Sequence, residues 1–239
     1  MKDRVMEQPM IIWTLRRTGG TSLASLLFKN SSFKGLQHEP LNQERVWGDV
    51  TYDWRQQEGK TLDDIAEYDL SSIQDRIFQY VSSKRNIKHC IDNIPFTITK
   101  FLLEASQDVG YKHILLLRKN QLQQILSLLV AQQVTWKHGY SPDVAAEKIE
   151  SGEFVMPEIS FGDINRKFIE SSQIVGRLYE AFHQNDIPYY RVYFEDLYSS
   201  DLGAQERVQN AMRILDYLEI ENRDTTIYSR FFLPASQSA

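Results

Sequence analysis

At 239 residues with 42% hydrophobic content, the chain can bury one sizeable core and nothing in it demands a second, so residues 1–239 read as a single domain. With 27 basic and 32 acidic residues, the formal charge of −5 excludes a general nucleic-acid binder and leaves the arginines to act locally. The single cysteine, Cys90, excludes an internal disulfide and a multi-cysteine metal site. No long apolar stretch follows the N-terminal MKDRVMEQPM, and apolar runs fall far short of the about 20 residues of a membrane span. The expectation is therefore a reducing, cytoplasmic setting without a membrane span.

The first element is an apolar strand, Ile11–Leu15. It ends in Arg16 and Arg17, then a Thr-Gly-Gly-Thr-Ser turn, then a helix over Thr21–Lys29. The segment LQHEPLN, Leu36–Asn42, follows as an extended return over the crevice. A polar excursion, Glu39–Glu67, carries Trp47, Tyr52 and Trp54, rings that could stack against an acceptor or serve only the packing. Next come a helix over Leu70–Ser83, a short strand Lys88–Asp92, and a helix over Thr97–Gln107 that stops before Gly110. The strand Lys112–Leu117 runs directly into Arg118, and a long helix is expected over Gln121–Trp136. Tyr140–Gly162 reads as a second surface excursion, with Ile159–Phe161 merely extended. A helix over Ile164–Gln184, a strand Tyr189–Phe194 ahead of Glu195 and Asp196, and a helix over Gln205–Leu218 complete the pattern. The tail after Phe232 reads as frayed. Short apolar strands alternating with amphipathic helices argue for βα units and a parallel sheet.

The run from Ile11 to Phe28 holds the most chemistry. Gly19 and Gly20 allow a tight turn that brings backbone N–H groups close to an anion. Thr21 and Ser22 can donate hydroxyl hydrogen bonds while opening the helix, and the helix N-terminus adds its dipole. Arg17 can add a charge-assisted contact to phosphate. The run is not a Walker A motif, because the required lysine is missing, and its adjacent glycines exclude G-x-G-x-x-G. The bland alternative is a surface βα turn with incidental arginines. Arg118, at a strand's carboxyl end, would face the same crevice. Ser127 lies nine residues further on, and together they could grip a second phosphate. Otherwise the serine bonds its own helix backbone and the arginine faces solvent.

A proton acceptor is available in LQHEPLN, where His38 and Glu39 stand side by side. By intrinsic chemistry His38 is the better neutral-pH base, at about 6.5 against about 4.3 for a glutamate. Adjacent residues in an extended segment face opposite ways, so one of the two would reach the reacting group. Asp92 is a further option, and Asn93 and Lys100 could orient a substrate. Glu195 and Asp196 read as structural, with Glu195 holding the Arg/Ser-Thr loop or capping a neighbouring helix. His89 and His113 read as structural or exposed, and no metal-ligand cluster stands out.

The chain resembles sulfotransferases that use 3′-phosphoadenosine 5′-phosphosulfate. WTLRRTGGTSLASLL resembles the family's 5′-phosphosulfate loop. ILLLRKNQLQQILSLLVAQQVTWK resembles its 3′-phosphate element, and YYRVYFEDL its late strand, with Phe194 in place of the usual tyrosine. The nine-residue Arg118–Ser127 interval and the AQQVTW continuation look most like the bacterial trehalose-type branch; counting from Lys119 gives the eight-residue spacing of the classical cytosolic branch. The resemblance implies a three-layer Rossmann-like (P-loop-type) fold and sulfuryl transfer to a hydroxyl or amine of a small-molecule or glycan acceptor. It implies that Arg17, with Thr18, Gly19, Gly20, Thr21 and Ser22, holds the 5′-phosphosulfate and that Arg118 and Ser127 hold the 3′-phosphate. It implies Glu39, beside Pro40, as the base in preference to His38. It also implies Arg230, in TTIYSRFF, as a cofactor contact. No metal is expected. A nucleotide-dependent small-molecule kinase and a non-catalytic nucleotide-binding module remain the competing readings.

Overall fold

The strand MIIWT is buried at every position, and that burial sets the architecture, because a strand covered on both faces needs a helical layer on each side. A computed structural model describes residues 8–33, 35–56, 70–155 and 158–220. In chain order the elements are β1 (Met10–Thr14), α1 (Gly20–Phe28), β2 (Leu36–His38), α2 (Tyr52–Gln56), α3 (Leu70–Val81), β3 (Asn86–Cys90) and α4 (Phe96–Val109). Then follow β4 (Lys112–Leu117), α5 (Gln121–Val130), α6 (Pro142–Glu150), α7 (Phe161–Gln184), β5 (Tyr189–Tyr193), α8 (Phe194–Tyr198) and α9 (Ala204–Tyr217). Among the described residues the five strands form one parallel sheet in the order β2-β3-β1-β4-β5.

Alternation along β1 splits the core in two. Ile11 and Trp13 face a layer built from Ile73 and Ile77 of α3, Ile98 and Leu102 of α4, and Leu178 and Phe182 of α7. Met10 and Ile12 face Leu23 and Leu27 of α1 and Ile214 and Leu215 of α9. Each such fully buried side chain contributes about 1.5–3 kcal/mol relative to exposure. The result is a helix–sheet–helix sandwich, the Rossmann-like α/β arrangement expected from the sequence.

Most strand and helix positions agree with the sequence pattern to within a residue or two. Gly110 closes α4 in the left-handed region, at φ 84°. Several local features differ, among them the short helices α2, inside the polar excursion, and α8, which takes Phe194 out of the expected strand. β2 is a three-residue edge strand, held by β3 and too short to announce itself by alternation. The stretch after Gly139 contains α6, capped by the Ser141 hydroxyl accepting from Val144 N–H. Phe161 opens α7 rather than belonging to an extended stretch. The long helix predicted through Trp136 is α-helical only to Val130 and continues as a π turn over Ala131–Trp136.

Candidate functional site

The sheet order makes the site. The connection after β1 leaves toward β2, while that after β4 leaves toward β5, so a crevice opens between the carboxyl ends of two adjacent central strands. The loop after β1 lies there. Arg17 and Gly19 have positive φ, 64° and 79°, and Gly19 is the left-handed N-cap of α1. No side chain caps this helix start, so its first-turn N–H groups remain open to an anion. Thr18 is buried, yet its Oγ1 has no hydrogen-bond partner. Thr21 and Ser22 lie exposed on the first turn. Both glycines are required for space. A methyl group on Gly19 would sit 2.7 Å from the Phe194 ring, and one on Gly20 would sit 2.9 Å from Thr14 Cγ2.

The second basic element meets this loop directly. Arg17 Nε donates to Ser127 Oγ at 3.1 Å, and Arg118 donates to the Arg17 carbonyl at 3.2 Å. The buried Gln124 of α5 donates to the Arg16 carbonyl at 2.6 Å. Thus α5 is laced to the Gly loop at two points, and Arg118 joins it from the end of β4. The Arg118 guanidinium lies 4.3 Å over the Phe194 ring. Its Nε has no hydrogen-bond partner, with Glu195 Oε1 3.9 Å away. Lys119 turns away to pair with Asp196, so Arg118 is the residue facing the loop. The Glu195 carboxylate accepts the backbone N–H groups of Lys119 (2.8 Å) and Asn120 (2.9 Å), pinning the turn that aims Arg118.

The carboxylate side is built around a lysine. Glu39 ends β2 with φ 49°, which breaks the extended alternation and folds its side chain back onto β3. Its carboxylate pairs with Lys88 Nζ and accepts from Asn42 Nδ2 at 2.7 Å and from the Cys90 thiol at 3.4 Å. Burial pushes the Glu39 pKa up. The Lys88 charge and the hydrogen bonds from Lys88, Asn42 and Cys90 outweigh that and hold it down at about 2. Burial would discharge Lys88, but Cys90 and Glu39 win and its pKa is raised. His38 is half-buried, and its Nδ1 has no hydrogen-bond partner. Burial and then the Lys88 charge lower its pKa, with Glu39 opposing. Asp92 is fully engaged by Arg16, through Nε at 3.0 Å and the Arg16 backbone N–H at 3.1 Å. Asn93 donates to Asn42, and Lys100 pairs with Glu104 at 3.6 Å, away from this cluster.

Sequence reasoning missed Lys88 and Gln124. Lys88 had a signal: a lysine inside an otherwise apolar strand must be buried, and buried lysines are rare unless paired. Gln124 had none, since a helix glutamine is ordinary. The aromatic excursion also reads differently in three dimensions. Trp47 and Trp54 are core residues, and Trp47 stacks on Tyr80 at 5.3 Å. Tyr52 stays exposed, and the π turn carries a further half-exposed ring, Trp136, to 5.8 Å from the Arg16 guanidinium. His89 and His113 are both buried, on either side of Trp13. Arg230 and the tail lie outside the described residues.

Among the described residues, no group of three or more histidine, cysteine or acidic side chains could hold a metal ion, and no helix is long and apolar enough to cross a membrane. No protein-family model matches the chain, and comparison with curated proteins gives no match. Among solved structures, the chain is similar to mouse sulfotransferase SULT7A1 complexed with PAP, at a TM-score of 0.42 and 12% identity. The similarity covers 96% of this chain and 63% of that one, so the chain spans under two thirds of its length. A likeness of that degree leaves function to be argued from the site itself.

Proposed function

We propose that this chain is a sulfotransferase that moves a sulfuryl group from 3′-phosphoadenosine 5′-phosphosulfate to an acceptor hydroxyl on a small molecule or glycan. The observation that carries this reading is the junction of two cationic elements on one uncapped helix start. Arg17 bonds Ser127, Arg118 bonds the Arg17 carbonyl, and all three border the crevice. One anion site at a helix N-terminus suits any nucleotide; a second arginine beside it suits a nucleotide with an additional phosphate. The residues present fit such a group. Thr18 Oγ1 and Arg118 Nε are buried polar atoms without hydrogen-bond partners, and the two glycines let the loop pack closely against Phe194 and Thr14. In this reading Arg17, Thr18, Gly19, Gly20, Thr21 and Ser22 hold the 5′-phosphosulfate, while Arg118 and Ser127 hold the 3′-phosphate. Arg230 would add a contact from the C-terminal segment.

When bound, the nucleotide supplies an activated sulfuryl group on a phosphate leaving group. The protein's work is positioning and electrostatics. Arg17 and the first-turn N–H groups of α1 would stabilise the charge that grows on the bridging phosphate oxygen. The acceptor hydroxyl gives its proton to Glu39 or, in the alternative, to His38. The acceptor oxygen bonds to sulfur as the sulfur–phosphate-oxygen bond breaks, and adenosine 3′,5′-bisphosphate leaves. Metal ligands are not needed for these steps. A nucleotide-dependent kinase fits less well, because the loop lacks the phosphate-gripping lysine of a Walker A motif.

The test is transfer of label from radiolabelled 3′-phosphoadenosine 5′-phosphosulfate into a metabolite extract. The expected result is a labelled acceptor with the unaltered chain and a loss of about 10²-fold or more with Arg17→Ala. Magnesium-dependent consumption of ATP, with no sulfuryl transfer, would overturn the reading in favour of a kinase.

A further inference from the structure

Lys88 occupies a position between two anion sites. Its side chain is 6% exposed and runs from β3 beneath the start of α1, where Cε lies 3.1 Å from the place a Gly20 Cβ would take. Its Nζ is paired with Glu39 Oε1 and lies 3.0 Å from Cys90 Sγ. A thiol is a weak acceptor, so one strong bond, to Glu39, holds the ammonium in place. On the other side is the uncapped N-terminus of α1, where an incoming anion would sit. Glu39 would not be released into disorder by losing the lysine, because Asn42 Nδ2 holds its other oxygen at 2.7 Å and its backbone N–H donates to the Lys88 carbonyl at 2.7 Å.

We infer that Lys88 is a two-position cation. It pairs with Glu39 at rest, turns its ammonium to the sulfonate or phosphate group seated at the start of α1, and thereby frees the Glu39 carboxylate to take the acceptor's proton. The inference rests on the transferase reading and deepens it by coupling the base to occupation of the nucleotide site. No bond is made or broken in the exchange. The later proton transfer runs from the acceptor oxygen to a Glu39 oxygen. The physical reason is competition for one buried charge. A carboxylate held at about 2 by its cation is a poor proton acceptor at neutral pH. Removing that cation from a poorly solvated site raises its proton affinity. The other groups that interact with this carboxylate and its neighbours are His89, Cys90 and Asp92 on the β3 side and Asn42, His38 and Arg45 on the β2 side. Of the groups acting directly on Glu39, Lys88 is the cation, so the change belongs to Lys88. An enzyme wired in this way withholds its base until the donor is seated.

The experiment follows Glu39 by NMR with carboxyl-labelled glutamate, assigned by the signal missing in Glu39→Gln. It is titrated in the unaltered chain alone and with saturating adenosine 3′,5′-bisphosphate, with binding checked by calorimetry on the same sample. Expected is titration near 2 without ligand and a proton affinity raised about tenfold or more with it. In Lys88→Met the affinity should be raised already, and the ligand should add nothing. Should that variant fail to fold, Lys88→Arg is read instead and is expected to keep Glu39 low without ligand. If the bisphosphate binds and Glu39 does not move, the two-position cation is wrong and the transferase reading stands. If the bisphosphate binds no better than AMP, the transferase reading fails and this inference with it.

Discussion

Gly19 shows how much of this site depends on single atoms. Its φ of 79° is a conformation that costs an L-residue about 1–2 kcal/mol, and a methyl group there would strike the Phe194 ring at 2.7 Å. That ring is also the surface on which the Arg118 guanidinium lies. Gly19→Ala is therefore expected to lower stability by about 1–3 kcal/mol in urea unfolding. It should also weaken binding of adenosine 3′,5′-bisphosphate beyond that of AMP, because the displaced ring takes Arg118 with it. A variant of unchanged stability and selectivity would contradict the packing described. Lys88 makes the complementary point. A buried lysine is tolerated because Glu39 partners it, and the pair leaves each residue's properties unlike those read from its type alone.

At the scale of elements, periodicity located what is long and apolar and failed where a neighbour decides. The strands β1, β3, β4 and β5 and the helices α3, α4, α7 and α9 were legible because each buries a continuous face. β2 has three residues and exists by pairing with β3. The π turn after α5 leaves the apolar pattern intact while shifting the register, and its visible consequence is Trp136 over Arg16. The Gly loop and Arg118 were legible as candidate residues, since strand ends and glycines mark them. Their facing one crevice was legible too, but the direct contacts between them were not, because these need the strand order β1-β4 and the lacing of α5 through Gln124 and Ser127. The status of Glu39 was invisible for the same reason: Lys88 is 49 residues away along the chain. A structural role for Glu195 is legible from its place at a strand end, but its partners, the backbone N–H groups of Lys119 and Asn120, are set by the pairing of β4 with β5.

Across the whole molecule, burial of ionisable groups within the sheet sets a direction for pH dependence. Burial holds His89 and His113 at about 3, against about 6.5 when unfolded. Their neutral forms serve the core: His113 Nδ1 accepts from the Trp13 indole at 3.1 Å, and His89 Nε2 lies 3.2 Å from Thr99 Oγ1. A base whose folded pKa is depressed costs stability wherever the unfolded chain takes up the proton. Stability should thus be full above about pH 7 and fall as pH drops from about 6.5 toward 3, by about 1 kcal/mol per histidine at pH 5.5. Glu39, depressed to about 2, adds a loss in the same direction below about 4.5. Urea midpoints between pH 7.5 and 5 should show the slope, and His89→Gln should reduce it; flat midpoints would contradict it. The same sheet order that buries these histidines opens the crevice between β1 and β4. The central claim is that this crevice holds a nucleotide with a second phosphate. Calorimetry with adenosine 3′,5′-bisphosphate and AMP tests it most directly. The expected result is tighter binding of the bisphosphate by the unaltered chain and loss of that preference in Arg118→Ala; equal affinity for the two ligands in the unaltered chain would contradict it.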